Sequence, residues 1–274
     1  MTVASILLSK VVVATAIAAL AEVVQRRGSR PEAAYAMWAT VLAVLVVPSV
    51  MTIHAPSWVG VATDSISTSL FCDSSPGVVV SLWLGGSGFV FWRQWRSLRL
   101  LERLVRFAAA APSNISDRSA AIAGELGIHN CPTVVTASGA FSPFLWHPFV
   151  GDARVVIPGE LLGQFSEETI DAVLRHELVH LRRRDACRRR IEVMVLALWW
   201  WLPTTWIARS RLREWEELCI DGAVVRANPN GVKAYARALL DTEEFLNLQV
   251  TRLVCRVGVR SARIVKSENH SNSY

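Results

Sequence analysis

The stretch AVLRHELVHLRRRDACRRR, residues 172–190, holds His176 and His180 four positions apart, with Glu177 next to the first. On an α-helix, residues i and i+4 project from one face, so both imidazoles can reach one zinc ion at about 2.0–2.1 Å. The carboxylate of Glu177 is not a ligand in that arrangement. It takes the proton of a water that the ion acidifies to a pKa of roughly 7, and passes it to the leaving amine. Five-residue strings of this kind also arise by chance, and the rival reading is a pair of ordinary histidines on a structural helix. The surroundings favour a helix with one face to bury: Ile170, Val173, Leu174 and Leu181 recur at spacings of three and four, uninterrupted by Pro or Gly.

A catalytic zinc needs a third protein ligand and a position open to water. Downstream, REWEELCIDGAVV (213–225) puts Glu217 and Asp221 four apart on a second helical stretch. Glu217 is the favoured ligand, and Asp221, one turn later, can hydrogen-bond a ligand histidine. Glu214 and Glu216 compete for the ligand role, and all three can instead be a solvated acidic face.

The elements that must position these residues include a membrane. The chain is 52% hydrophobic with mean hydropathy +0.32, high for a soluble protein. Three apolar runs, 6–24, 33–53 and 77–92, approach the ~20 residues that cross a ~30 Å hydrocarbon core. The third is short, but Trp83, Trp92 and Trp95 suit an interface, and arginines begin at Arg93. The first has no basic leader and carries Lys10, which can snorkel to headgroups, so it reads as a retained span rather than a signal peptide. Arg26, Arg27 and Arg30 follow the first run, residues 54–76 carry no Lys or Arg, and Arg93, Arg96, Arg99, Arg103 and Arg106 follow the third. Lys and Arg stay cytoplasmic, which sets the N-terminus outside and the main domain inside.

The net charge of +6 does not point to nucleic acid. The arginines flank apolar runs, where anionic lipid headgroups attract them, and no aromatic platform accompanies RRRDACRRR. Cys72, Cys131, Cys187, Cys219 and Cys255 are scattered and odd in number, so they do not form a disulfide framework; Cys72 alone would face outward.

Beyond the third run, Leu98, Leu101, Leu104, Val105 and Ala108 continue a helix that Pro112 closes. A short helix over 116–127 follows, with Ser116 as cap and Gly127 as stop. The texture then turns to β at 133–137 and 153–158, across a Gly-, Ser- and Pro-rich connection. Helix returns over PGELLGQF (158–165) and again from Ser166, where Glu167 and Glu168 suit the positive end of the dipole.

The run SPFLWHPFVGDARVVIPGELLGQFSEETIDAVLRHELVHLRRRD (142–185), the tryptophan-rich segment with Pro203, and EWEELCID (214–221) together resemble the membrane-embedded gluzincin proteases of the BlaR/MecR antibiotic-sensor type. The resemblance covers most of residues 80–240 and implies an α+β chain: a polytopic α-helical membrane anchor plus a cytoplasmic zincin-type metalloprotease domain with a small β-sheet. It supports Zn2+ as cofactor, His176, His180 and Glu217 as ligands, Glu177 as general base and Asp221 behind the ligands. It also implies that the strand near TVVTASGAFSPF (133–144) is the sheet edge for an extended peptide, with Ser138, Gly139 and Ser142 against the substrate. The implied partner is a protein or peptide substrate, a transcriptional repressor or the chain itself, at the bacterial cytoplasmic membrane and among its lipids; a homo-oligomer stays open. About fifty residues follow Asp221, with no further spanning run and no room for a penicillin-binding sensor domain, so antibiotic sensing is not expected.

Two rivals are a membrane signalling protein with a degenerate zinc site, and an intramembrane site-two-type protease, for which NPNG (228–231) is a faint sign. Glu167, Glu168, Asp171 and Arg175 before His176, and Arg182, Arg183 and Arg184 after it, make a hydrocarbon setting costly by several kcal/mol. Residues 191–208 would also score as a span, about 27 Å of helix at ~1.5 Å per residue. A crossing there would part His180 from Glu217, so Pro203 is expected to break the run into a membrane-dipping hairpin, 190–212. The expected organisation is a membrane domain with three transmembrane helices at 1–97, a protease domain containing the hairpin at 98–245, and a basic tail at 246–274.

Overall fold

The computed structural model of the chain describes residues 3–46 and 76–248. Residues 47–75, with the end of the second apolar run and Cys72, and those from 249 on, with Cys255, lie outside the described residues. The described chain is mostly helical, with one small mixed sheet. It divides into two compact units, Met1–Leu100 with Asp185–Asp221, and Leu101–Arg184 with Gly222–Tyr274.

In the first unit, α1 (Val3–Arg26) and α2 (Pro31–Val46) are joined by a turn in which Gly28 takes φ +83°, a conformation open to glycine. Ala14, Ala18 and Ala21 recur at helical spacing, and these small side chains let Trp38, Val41, Leu42 and Leu45 of α2 close against α1. The Lys10 amine donates to the Leu45 carbonyl at 3.4 Å, in the last turn of α2. Among the described residues one helix is long and apolar enough to cross a membrane by length and composition: Leu7–Arg26, of mean hydropathy 2.1. The described part of the second run is a shorter apolar helix, and the third run is the first half of α3 (Pro76–Arg106).

The apolar run at 191–208 is not one helix. It is split between α7 (Asp185–Leu198) and α8 (Pro203–Ala227), with Pro203 at the first helical position, where a missing N–H costs nothing. Arg189 pairs with Glu216 at 2.7 Å and Arg213 with Glu192 at 3.6 Å. Three residues forward on α7 are three residues back on α8, so the two helices run antiparallel. Val195, Trp199, Leu202, Ala208 and Leu212 of this hairpin join the α1–α2 core.

In the second unit the strands β1 (Ala109–Ala110), β2 (Thr133–Ala137), β3 (Phe144–Trp146) and β4 (Arg154–Pro158) form a sheet in the order β1-β2-β4-β3. β2 and β4 are parallel, and β1 and β3 pair antiparallel on the outside. Val135, Ala137 and Val156 pack with Val105 on one face; Val134, Val155 and Ile157, which alternate with them, are buried on the other. Burial on both faces explains the unbroken apolar run of β4. Helices α4 (Ser113–Glu125), α5 (Gly159–Leu162), α6 (Glu167–Arg183) and α9 (232–248) complete the unit. Arg118 of α4 holds Asp171 of α6 with two 2.7 Å bonds and Glu167 at 2.8 Å. The Asp171 hydrogen bond is the main reason its guanidinium lies above the ordinary arginine value.

Three local expectations need correction. The helix of the third run ends at Arg106, not at Pro112, because Ala109 and Ala110 are taken into the sheet opposite Thr136 and Val135. Ser116 is not a cap: α4 starts at Ser113 behind Pro112, and Gly127 (φ +70°) ends it, with Ile128 N–H bonded to Ala123 O and Gly127 N–H to Gly124 O. β2 is an interior strand rather than the sheet edge; the edges are β1 and β3, and β3 begins at Phe144, the last residue of the stretch 133–144. NPNG is a turn in which the Asn228 side chain accepts from the Gly231 N–H at 3.2 Å. Cys131, Cys187 and Cys219 form no disulfide.

Candidate active site

Helix α6 is set at both ends. The Ser166 hydroxyl accepts from the Thr169 N–H at its start, and Glu167 and Glu168 occupy the first turn. At its end Arg184 takes a left-handed conformation, φ 59°, and its N–H turns back to the carbonyls of His180 and Leu181. The helix therefore stops one turn after His180. Ile170, Ala172, Leu174, Leu178 and Val179 are buried, whereas Val173 and Leu181, expected on the apolar face, are only half-buried.

On this helix Glu177 and His180 are buried and His176 is half-buried. The imidazoles of His176 and His180 stand edge to face, centroids 5.1 Å apart, with nitrogens within 4.8 Å of each other. Two nitrogens bound to one tetrahedral ion at about 2.0–2.1 Å stand roughly 3.3 Å apart, which a small side-chain adjustment reaches. A pair of imidazoles one helical turn apart, with nitrogens this close, is a donor pair that fits zinc. His176 has a further partner: the hydroxyl of Tyr235, on α9, lies 2.8 Å from its Nδ1. Tyr235 is 6% exposed. No local spacing links the two residues, which are 59 apart in sequence.

In the first unit the three acidic candidates of α8 have different surroundings. Glu214 pairs with Arg211 at 3.0 Å. Glu216 is completely buried and accepts two bonds from Arg189, at 2.7 and 3.1 Å. Glu217 is 47% exposed and stands 3.6 Å from Arg189. Burial pulls the Arg189 guanidinium down, but the charge and hydrogen bond of Glu216, with the charge of Glu217, outweigh it and leave it above the ordinary value. Asp221 lies one turn beyond Glu217 on the same helix and is half-buried.

Ser138, Gly139 and Ser142 are exposed in the connection that passes over the end of β4 from β2 to β3. Gly139 takes φ +145°, and a side chain there would press on Phe141. β3 packs beside α6, so the edge strand of the sheet neighbours the helix that carries the two histidines. His147, at the end of β3, is exposed, its Nδ1 3.0 Å from the Pro148 carbonyl.

The chain matches the family described as BlaR1 peptidase M56 over residues 62–266, three-quarters of its length. No curated protein matches it.

Proposed function

This chain belongs to the BlaR1 peptidase M56 family, and we propose that it is an integral-membrane zinc metalloendopeptidase that cuts a protein substrate on the cytoplasmic side. The observation that carries the reading is the turn of α6 where His176 and His180 hold their nitrogens within 4.8 Å of each other, with Glu177 buried on the same helix.

His176, His180 and Glu217 are the proposed ligands. Glu217 is preferred to its neighbours because Glu216 is taken up by Arg189 in the core of the first unit and Glu214 by Arg211. Zinc, when bound, polarises the scissile carbonyl and makes water acidic enough to attack near neutral pH. Glu177 accepts the proton of the attacking water, and its burial keeps that carboxylate in one place for the transfer to the leaving amine. Asp221, a turn after Glu217, is the proposed orienting carboxylate of the ligand shell. An extended substrate peptide adds to the outer edge of β3, held straight by main-chain bonds, with Ser138, Gly139 and Ser142 at the end of that edge.

Membrane insertion is supported by what the first unit leaves outside. Leu7, Leu8, Val12 and Leu20 of α1, and Val78, Leu82, Leu84, Phe89 and Phe91 of α3, are exposed. Exposed apolar side chains along the lengths of two helices suit lipid rather than water. The apolar spans 6–24, 33–53 and 77–92 then cross, with the N-terminus outside and lipids as immediate partners. A transcriptional repressor, or the chain itself, is the proposed class of substrate.

Comparing the proteomes of cells that carry the intact chain and cells that carry Glu177→Gln tests the reading. A protein cleaved only in the former supports it; identical cleavage patterns, with both chains present in the membrane at equal levels, would overturn it.

A further inference from the structure

We propose that Tyr235 is a positioning residue for the metal: its phenol oxygen accepts a hydrogen bond from His176 Nδ1, fixing the tautomer and ring angle that aim Nε2 at zinc. The inference rests on His176 being a ligand, as read above, and adds a residue that neither the motif nor the family match assigns.

A neutral imidazole has one nitrogen that donates and one that accepts, and a metal takes the lone pair of the accepting one. With Oη of Tyr235 2.8 Å from Nδ1, the phenol is placed to accept the Nδ1 proton, and that tautomer leaves the lone pair on Nε2. The rings are nearly parallel, 25° between planes and 6.1 Å between centroids, while the His180 ring stands at 75° to that of His176. The His176 ring thus contacts both the phenol and its fellow ligand.

The phenol is itself held by its helix. Tyr235, Ala238 and Phe245 are buried at spacings of three and seven along α9, which presents them as one face. The Asn228–Gly231 turn separates that helix from α8. Partners of this kind raise the basicity of a ligand histidine and restrict its ring, and losing one typically costs about 10–100-fold in metal affinity.

The experiment uses the full chain in detergent. Zinc affinity is measured by chelator competition, and cobalt is substituted for zinc so that its visible absorption reports the ligand geometry. Three proteins are compared: wild type, Tyr235→Phe and His176→Ala. Tyr235→Phe removes one oxygen and keeps the ring, so its metal-free melting temperature is expected to stay at the wild-type value. Its zinc affinity is expected to fall about 10–100-fold, and its cobalt bands to shift. If Tyr235→Phe binds both metals as wild type does while His176→Ala loses them, the role of Tyr235 fails and His176 stands as a ligand. If wild type and His176→Ala bind zinc equally, the ligand assignment fails first. A metal-free Tyr235→Phe protein that melts well below wild type would overturn the proposal too, by making Tyr235 a structural contact.

Discussion

Both hydrogen bonds from Arg189 fall on one oxygen of Glu216, Oε1, at 2.7 and 3.1 Å, and the carboxyl they reach is completely buried. The next residue, Glu217, is 47% exposed and 3.6 Å from the same guanidinium. Two adjacent carboxylates therefore have separable jobs, one in holding α7 to α8 and one in the proposed ligand set. Glu216→Ala should destabilise the protein by about 3 kcal/mol, the low end for breaking a buried pair, because Arg189 keeps 38% of its side chain in contact with solvent. Glu217→Ala should leave the metal-free melting temperature near wild type and lower zinc occupancy. Melting curves and metal analysis of the two variants decide it: zinc retained in Glu217→Ala at the wild-type level would remove that residue from the ligand set.

Glu177→Gln should keep zinc and lose proteolysis. The amide preserves the shape of a buried side chain but accepts no proton near neutral pH, and general-base catalysis is worth about 10²–10⁴-fold. With a purified substrate, cleavage should drop by at least about 100-fold at unchanged metal content. Retained cleavage would move the base elsewhere.

What the sequence made legible was whatever depended on local chemistry. Ser166 caps α6 as its position before Glu167 and Glu168 suggests, β2 begins and ends where TVVTA does, and Pro203 starts a new helix. What stayed hidden depended on distant residues. Ala109 and Ala110 are good helix formers, yet they become strand because β2 offers an unpaired edge. Glu214, Glu216 and Glu217 look alike in a row; only the antiparallel packing of α7 tells which one is buried against Arg189. Tyr235 reaches His176 through a turn and a helix that no spacing rule connects to α6.

Gly86 lies where the Trp200 indole packs against α3, and there is no room there for a β-carbon. The contact is framed by two bonds, from Trp83 Nε1 to the Leu198 carbonyl at 3.0 Å and from Trp200 Nε1 to the Trp83 carbonyl at 3.3 Å. Gly86→Ala should therefore destabilise by about 1–3 kcal/mol through overpacking. Gly85 and Gly88 have open space at the same position, so alanine there should instead stabilise by about 0.5–1 kcal/mol, as expected for a glycine inside a helix. Unfolding curves of the three variants in one detergent test the contrast; equal effects at all three positions would mean that Trp200 does not rest on Gly86.

The segment from α7 to α8 is predicted to enter the membrane and return to the same side. α7 has 14 residues, about 21 Å at ~1.5 Å per residue, short of the ~30 Å hydrocarbon core. The chain then turns at Trp199–Leu202 and runs back along itself, as the Arg189–Glu216 and Arg213–Glu192 pairs require. Arginines stand at both ends, Arg188, Arg189 and Arg190 before and Arg209, Arg211 and Arg213 after, and the positive-inside rule keeps both on the cytoplasmic side. Ser210 should then share a side with Arg30, in the turn between α1 and α2; both positions are exposed. Single cysteines at these two positions, in a background without the native ones, should resist a membrane-impermeant thiol reagent in intact cells and react after lysis. Labelling of the Ser210 position from outside would mean that α7 and α8 cross, which would put His180 and Glu217 on opposite faces of the bilayer and end the proposal that they share one zinc ion.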